Sequence, residues 1–189
     1  LTSDNITIPS IDSLFTQLGT YQIVLWVYQN NTGINRNVFN FGGGGSNRHN
    51  LNFDGTGIGF NRYNGSNYVA KKITSPGTNR WIKIVCKNNA GVMTLKVNNN
   101  IATDTNNNYA ASPGLNNLLY IGYPNSTTNG SGSIDGKLDE FRVYSALTSD
   151  NYDTTEYNNQ NDPASFLNIE LYENIDTRRS FFLDTCTLA

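Results

Sequence analysis

Asp139 is the acidic residue whose setting most demands a partner. Strict alternation through residues 138–144 (LDEFRVY) puts it on the same face as Phe141 and Val143, hence inward, where an ionised carboxylate needs compensation. An arginine, backbone donors or a metal ion could supply it. Calcium is the one cofactor the residues leave open, and it takes about six or more oxygens. Asp135, Asp54 and asparagine side chains could contribute some, but no spacing resembles an EF-hand loop. The competing reading of Asp139 is a hydrogen-bonded anchor near a turn.

Catalytic constellations find little support. His49 is the only histidine, and there is no Gly-x-Ser-x-Gly elbow, so neither a serine nor a zinc hydrolase has the groups it needs. Residues 42–50 (GGGGSNRHN) lack the Gly-Lys-Ser/Thr of a phosphate loop and read as a loop between strands. Arg48 and His49 at its end remain within reach of a ligand. Cys86 and Cys186 show no metal-ligand spacing. Cys86 reads as a buried thiol, and a bridge to Cys186 would contribute about 4–5 kcal/mol in the chain-entropy model.

Sugar recognition asks for planar amides and carboxylates toward hydroxyls and an aromatic face toward the C–H side of the ring. Arg62, Tyr63, Asn64 and Tyr68 flank one turn-rich segment, and Tyr123, Asn125 and Asn129 fall in another. Together with Arg48 and His49 they form a candidate site at loop ends. The alternative for each tyrosine is packing against the sandwich with its hydroxyl at the edge.

The elements that must position these residues are strands. Period-two alternation and turn signals recur to about residue 144, and no earlier stretch carries a 3.6 period. In residues 21–28 (YQIVLWVY) both faces are apolar, which marks a central strand covered on both sides. Residues 38–41 and 51–63 read as further strands, the latter turning at Asp54-Gly55 and Gly57. Residues 81–87 and 92–97 form a hairpin, with Ile82, Ile84, Cys86, Met93, Leu95 and Val97 toward the core. Residues 118–122 and 138–144 add two more. This spacing suggests a sandwich of two antiparallel sheets. A short helix capped by Thr148 or Ser149 is expected through Glu156, with Asp150 and Asp153 in its early turns. Residues 158–163 (NNQNDP) read as a linker, and residues 166–189 as an added element or the start of a neighbouring module.

Composition narrows the partners. The chain has 189 residues, a net charge of −2 and 15% charged residues, so it carries no basic field for nucleic acid. Apolar runs such as residues 23–27 fall far short of the roughly 20 residues of a membrane helix. The first residue is Leu1 with no leader pattern, consistent with a removed leader or a piece of a longer protein. Abundant Asn with sparse Lys and Glu suits a polar, weakly charged surface of an extracellular or virion protein, or an AT-rich genome. Sequons at Asn5, Asn64 and Asn125 matter only in a glycosylating pathway.

Residues 136–159 (GKLDEFRVYSALTSDNYDTTEYNN) resemble the close of a laminin-G-like, concanavalin A-type jelly roll: a Gly-x-(Leu/Ile)-Asp-Glu-(Val/Phe)-Arg strand, an Ala-Leu-(Ser/Thr) turn, then helical turns. The resemblance extends to Ile6, Ile8 and Pro9 in a first strand, to Trp26 within YQIVLWVY, and to Trp81 at the head of the hairpin. It covers about residues 1–159 and implies a two-sheet antiparallel jelly roll with a short C-terminal helix, residues 160–189 being linker and extension. Thr2-Ser3-Asp4-Asn5 stands where the family often has an acidic Asp-Gly-x-x-Asp-Tyr run, which thins any calcium site. Glucanases of this fold need a Glu-x-Asp-x-(x)-Glu strand at one glycosidic bond; Glu170, Glu173 and Asp176 have the wrong order and spacing. The expected role is a non-catalytic carbohydrate-binding or adhesion module of an extracellular or virion surface. The alternative is a structural virion component that uses the jelly roll for assembly. The expected partners are accordingly a cell-surface glycan or other subunits, with neither nucleic acid binding nor membrane insertion.

Overall fold

The computed structural model of the chain describes residues 6–8, 19–31, 36–42, 48–63, 68–104, 119–122 and 132–163. The chain divides into two compact units, residues 1–157 and 158–189, and the sandwich lies in the first. Its strands are β1 (Ile6–Ile8), β2 (Thr20–Gln29), β3 (Arg36–Gly42), β4 (Arg48–Phe53), β5 (Gly57–Tyr63), β6 (Tyr68–Thr74), β7 (Trp81–Asn89), β8 (Val92–Val97), β9 (Asn100–Asp104), β10 (Leu119–Ile121), β11 (Gly132–Ser133) and β12 (Gly136–Tyr144), followed by helix α1 (Asp150–Asn161).

The strands form two sheets. One runs β1-β10-β3-β4-β5-β6 with β11 on β3, and the other β12-β2-β7-β8-β9. Among the described residues every pairing is antiparallel except the two-residue contact of β11 with β3. This is the sandwich of two sheets that the alternation implied and the jelly roll that the resemblance implied. β2 is an inner strand of its sheet, paired with β12 and β7, and its two faces meet the core on one side and, at Trp26, Tyr157 of α1 on the other. Tyr21, Ile23, Leu25 and Val27 point into the core with Ile82, Ile84, Cys86, Met93, Leu95 and Val97, all buried. Phe39, Phe41, Leu51, Phe53, Ile58 and Phe60 meet them from the opposite sheet. Phe141 of β12 crosses the layer to Phe39 edge to face, ring centroids 6.1 Å apart.

Three expectations are corrected. Asp139 is exposed, not inward. β12 carries a bulge between Asp139 and Arg142, with Glu140 at φ 50°, so two residues oppose Leu25 where one would keep the alternation. Asp139 therefore pairs with Trp26 on the outer face, while Leu138, Phe141 and Val143 pack against the core. Asp139 Oδ1 accepts the Glu140 N–H at 2.8 Å. Second, residues 158–161 are helix and not linker. The Ser149 hydroxyl caps the start by accepting the Tyr152 N–H at 3.1 Å, and the helix runs to Asn161, shortly before Pro163, whose ring cannot continue it. Third, asparagine is not confined to the surface: Asn37, Asn40, Asn50, Asn61 and Asn88 are buried. Cys86 is a free buried thiol, its pKa pushed well up by burial; Cys186 lies outside the described residues.

Candidate functional site

The residues expected at a loop-end site separate in space. Arg48 and His49 open β4, and Arg62 and Tyr63 close β5; in register Arg48 pairs with Tyr63 and His49 with Arg62. His49 and Arg62 turn inward and are almost wholly buried, so they do not present themselves to a ligand. The Arg62 guanidinium donates to the Gly91 carbonyl at 3.0 Å. His49 Nδ1 meets the Tyr21 hydroxyl of the opposite sheet, the two rings stacked with centroids 5.9 Å apart. Burial, with the Arg62 charge beside it, lowers the His49 pKa to about 3, and burial chiefly raises that of Tyr21. The tyrosine therefore keeps its proton and shares a hydrogen bond with a neutral imidazole. This arrangement fastens one sheet to the other and is unsuited to acid–base work at neutral pH. Tyr63 is half-buried at the strand end. Asn64, Tyr123, Asn125 and Asn129 lie outside the described residues, as does the Tyr68 side chain.

The buried asparagines explain each other. On the side of β3, β4 and β5 away from the core, Asn40 pairs in register with Asn50 and Asn50 with Asn61, while Asn37 pairs with Asn52. Asn50 Nδ2 donates to Asn37 Oδ1 at 3.1 Å and Asn61 Nδ2 to Asn52 Oδ1 at 2.6 Å. Such a ladder satisfies part of the amides' bonding capacity where water is excluded, the Asn40 and Asn50 Oδ1 atoms remaining without a partner among the described residues.

An accessible constellation of ligand-binding character lies on the other sheet. Trp81 is the first residue of β7, on the face opposite Ile82, Ile84 and Cys86, and is 40% exposed. Tyr28 pairs with it across β2 and meets its ring edge to face, centroids 5.6 Å apart at 67°. Lys137, paired with Tyr28 from β12, places Nζ 5.8 Å from the Tyr28 ring centroid. Just past the strand ends, the exposed Asp135 carboxylate accepts from Asn30 Nδ2 at 2.9 Å and from Asn31 Nδ2, and the Asn30 N–H donates to the Asp135 carbonyl at 2.8 Å. Two aromatic rings, two planar amides, a carboxylate and an ammonium thus adjoin on one sheet end.

Close backbone approach builds this corner. A Cβ at Gly136 would stand 1.8 Å from the Tyr28 carbonyl oxygen, so only glycine lets β12 lie against β2 between Asp135 and Lys137. The sequence carried a partial signal: a tryptophan on the non-core face of a half-covered strand, beside Lys83, has no packing reason to be there. Without the β2–β7–β12 register, nothing joined it to Tyr28, Asn30 and Asp135.

Among the described residues no three His, Cys, Asp or Glu side chains cluster as a metal site. Asp54, one of the oxygens considered for calcium, is engaged by its own turn through the Thr56 and Gly57 N–H groups (3.1 and 3.0 Å) and by Lys72 at 2.7 Å. Among the described residues no helix is long and apolar enough to cross a membrane.

A family model described as the concanavalin A-like lectin/glucanases superfamily matches residues 2–151. No curated protein matches the chain in sequence. Among solved structures, the chain is similar to the botulinum neurotoxin serotype C1 binding domain, with a TM-score of 0.61, 13% identity, and coverage of 82% of this chain and 40% of that one. It is similar to domains LG4-5 of the mouse laminin alpha1 chain (TM-score 0.60, 14% identity, 75% of this chain, 40% of that one). It is also similar to the CBM40 of Ruminococcus gnavus IT-sialidase, solved bound to alpha2,3 sialyllactose (TM-score 0.57, 15% identity, 71% and 80%). The chain spans about two fifths of the neurotoxin binding domains it matches, 40% in that of serotype C1. These identities speak for a shared fold.

Proposed function

Because the chain belongs to the concanavalin A-like lectin/glucanases superfamily, we propose that it is a non-catalytic carbohydrate-binding module of an extracellular protein, with Trp81 and Tyr28 as its sugar platform. The observation that carries this reading is the exposed Trp81 ring braced by Tyr28 next to the Asn30–Asn31–Asp135 cluster. A pyranose stacks its C–H face on an indole, while amides and a carboxylate bond its hydroxyls. Tyr28 holds the indole in one orientation, so little side-chain freedom is lost on binding. The same fold holds sialyllactose in the CBM40 and forms receptor-binding domains in the neurotoxins, which supports a recognition role. In this reading residues 1–159 are the recognition module and residues 160–189 extend it.

Tyr63, Asn64, Tyr123 and Asn125, the candidates the sequence offered, form the second arm of the test. A glycan array probed with the full chain, with and without Ca²⁺, is expected to show a defined sugar hit that Trp81→Ala abolishes and Tyr63→Ala leaves in place. The reverse pattern would move the site to the loops. No hit from a chain of defined oligomeric mass would replace the sugar-binding reading by assembly into a larger surface structure.

A further inference from the structure

The outer face of the five-stranded sheet carries lysines where a helix-covered face ordinarily carries apolar residues. Lys83 and Lys87 flank Val85 on the same side of β7, and Lys96 on β8 pairs directly with Val85, so three ammonium groups form a triangle. All three lysines are buried. Seated over them is α1, whose Asp150, Asp153 and Glu156 recur every third residue and share one helix face.

The contact is ionic. Lys87 Nζ meets Asp150 at 2.8 Å and Asp153 at 2.6 Å, and Lys83 Nζ meets Glu156 while donating to the Asp153 carbonyl at 3.2 Å. Lys96 Nζ donates to the Asp150 carbonyl at 2.9 Å and the Thr154 hydroxyl at 2.6 Å. Arg142 adds a 2.6 Å bond to Glu156. The residue that α1 buries is Asp153 and not an apolar side chain, and its aromatic contribution is Tyr157 stacked on Trp26 at 5.9 Å.

Buried ion pairs lose in desolvation most of what they gain in attraction, whereas apolar helix packing has no such offset. The α1 contact is therefore selective in charge and spacing but weakly held, and salt weakens it further from its exposed Asp150 end. Lifting the helix returns lysines and carboxylates to water together, so neither is left unpaired in a dry site.

We propose that the face formed by Lys83, Lys87, Lys96 and Trp26 is a docking surface for an acidic helix of a partner protein, and that α1 occupies it as an exchangeable internal copy of that ligand. The matching pattern has acids at i, i+3 and i+6 and an aromatic ring at i+7, as Asp150, Asp153, Glu156 and Tyr157 display. A partner helix with this spacing inherits the ion pairs and the ring contact that α1 makes, though not the Thr154 hydroxyl on Lys96, and α1 sets the threshold it must exceed. The proposal does not depend on the sugar platform, although the Trp26–Lys83 pair lies next to the Tyr28–Trp81 pair on the same face.

The test uses the full chain, a fluorescent synthetic peptide of residues 149–161, and amide hydrogen exchange across residues 150–157. Raising salt from about 0.05 to about 1 M is expected to speed exchange in α1 while β7 stays protected. A D150N/D153N/E156Q chain is expected to release its own helix and to bind the peptide at least tenfold tighter than the parent chain. Should that variant fail to fold, Glu156→Gln alone offers the same two readouts. Continued protection of α1 after the carboxylates are neutralised would overturn the ionic hold. Release of α1 without peptide binding, or equal binding of an unstructured polyglutamate, would overturn recognition of a helix. Loss of sugar binding in Trp81→Ala leaves all of these outcomes unaffected.

Discussion

Tyr28 meets Trp81 edge to face at 5.6 Å across directly paired positions of β2 and β7, and this brace leaves the indole 40% exposed on a polar sheet end. An exposed tryptophan contributes little to folding, so its removal separates recognition from stability.

Trp81→Ala is expected to weaken binding of an array-identified sugar at least tenfold, about 1.4 kcal/mol, while the melting temperature moves by only a few degrees. Titration calorimetry and thermal melting on the same preparation check both. Unchanged affinity in a normally melting variant would remove the platform.

Gly136→Ala drives a methyl group into the Tyr28 carbonyl oxygen, 1.8 Å from the ideal Cβ position. Neither atom belongs to a flexible side chain, so β12 must shift from β2, at an expected cost of about 3 kcal/mol. Denaturant unfolding measures this. A midpoint equal to that of the parent chain would show that the corner is looser than its geometry.

Glu156 has its pKa held down by Lys83 and Arg142, whose hydrogen bonds and charges outweigh the opposing effect of burial. A lowered carboxylate pKa contributes stability that is present above the ordinary value of 4.5 and is lost as pH falls through the lowered value. Glu156→Ala is expected to cost about 1–2 kcal/mol at neutral pH, less than a sealed ion pair because α1 can lift and let Lys83 hydrate. The double change Lys83→Met with Glu156→Leu should recover most of it. A double variant no more stable than Glu156→Ala alone would contradict this account.

His49 is neutral in the folded chain down to about pH 3, whereas the unfolded chain takes up the proton below the ordinary value of 6.5. Between those values the unfolded state binds more protons, so stability falls as the medium is acidified, by up to about 1.4 kcal/mol per pH unit. Tyr21 and Arg62 are the ionisable groups that act on it, and Cys86 acts on Tyr21 in turn. His49→Gln keeps a hydrogen-bond partner for the Tyr21 hydroxyl and is expected to flatten the slope between pH 6 and about 4. An unchanged slope would assign acid sensitivity to the carboxylates alone.

Much of the sandwich is legible in the chain because central strands announce themselves. β2, β7 and β8 have clean faces, and their core residues are the ones alternation picks out. β6 and β9 were not legible: each closes an edge of its sheet, and YVAKKIT and NIATD mix polar and apolar residues without a dominant face, as exposed edges do. Asp139 was misplaced for a different reason. One extra residue at a bulge flips every side chain beyond it, and pattern reading has no means of counting that residue.

What the residues determined alone was the class of fold, its central strands, the inward Ile82, Ile84, Cys86, Met93, Leu95 and Val97, and the resemblance to a family whose model covers residues 2–151. The family follows from motifs and their order, and the rest from local alternation and turn chemistry, which act over a few residues. Tertiary structure decided which polar groups share a surface. His49 and Arg62, adjacent to apparent loops, were carried inside by strand parity, while Trp81, Tyr28, Lys137, Asn30 and Asp135, scattered over more than a hundred positions, were gathered by the register of three strands. Register is set by long-range pairing and by a single bulge, and neither is written in the types of the residues it brings together.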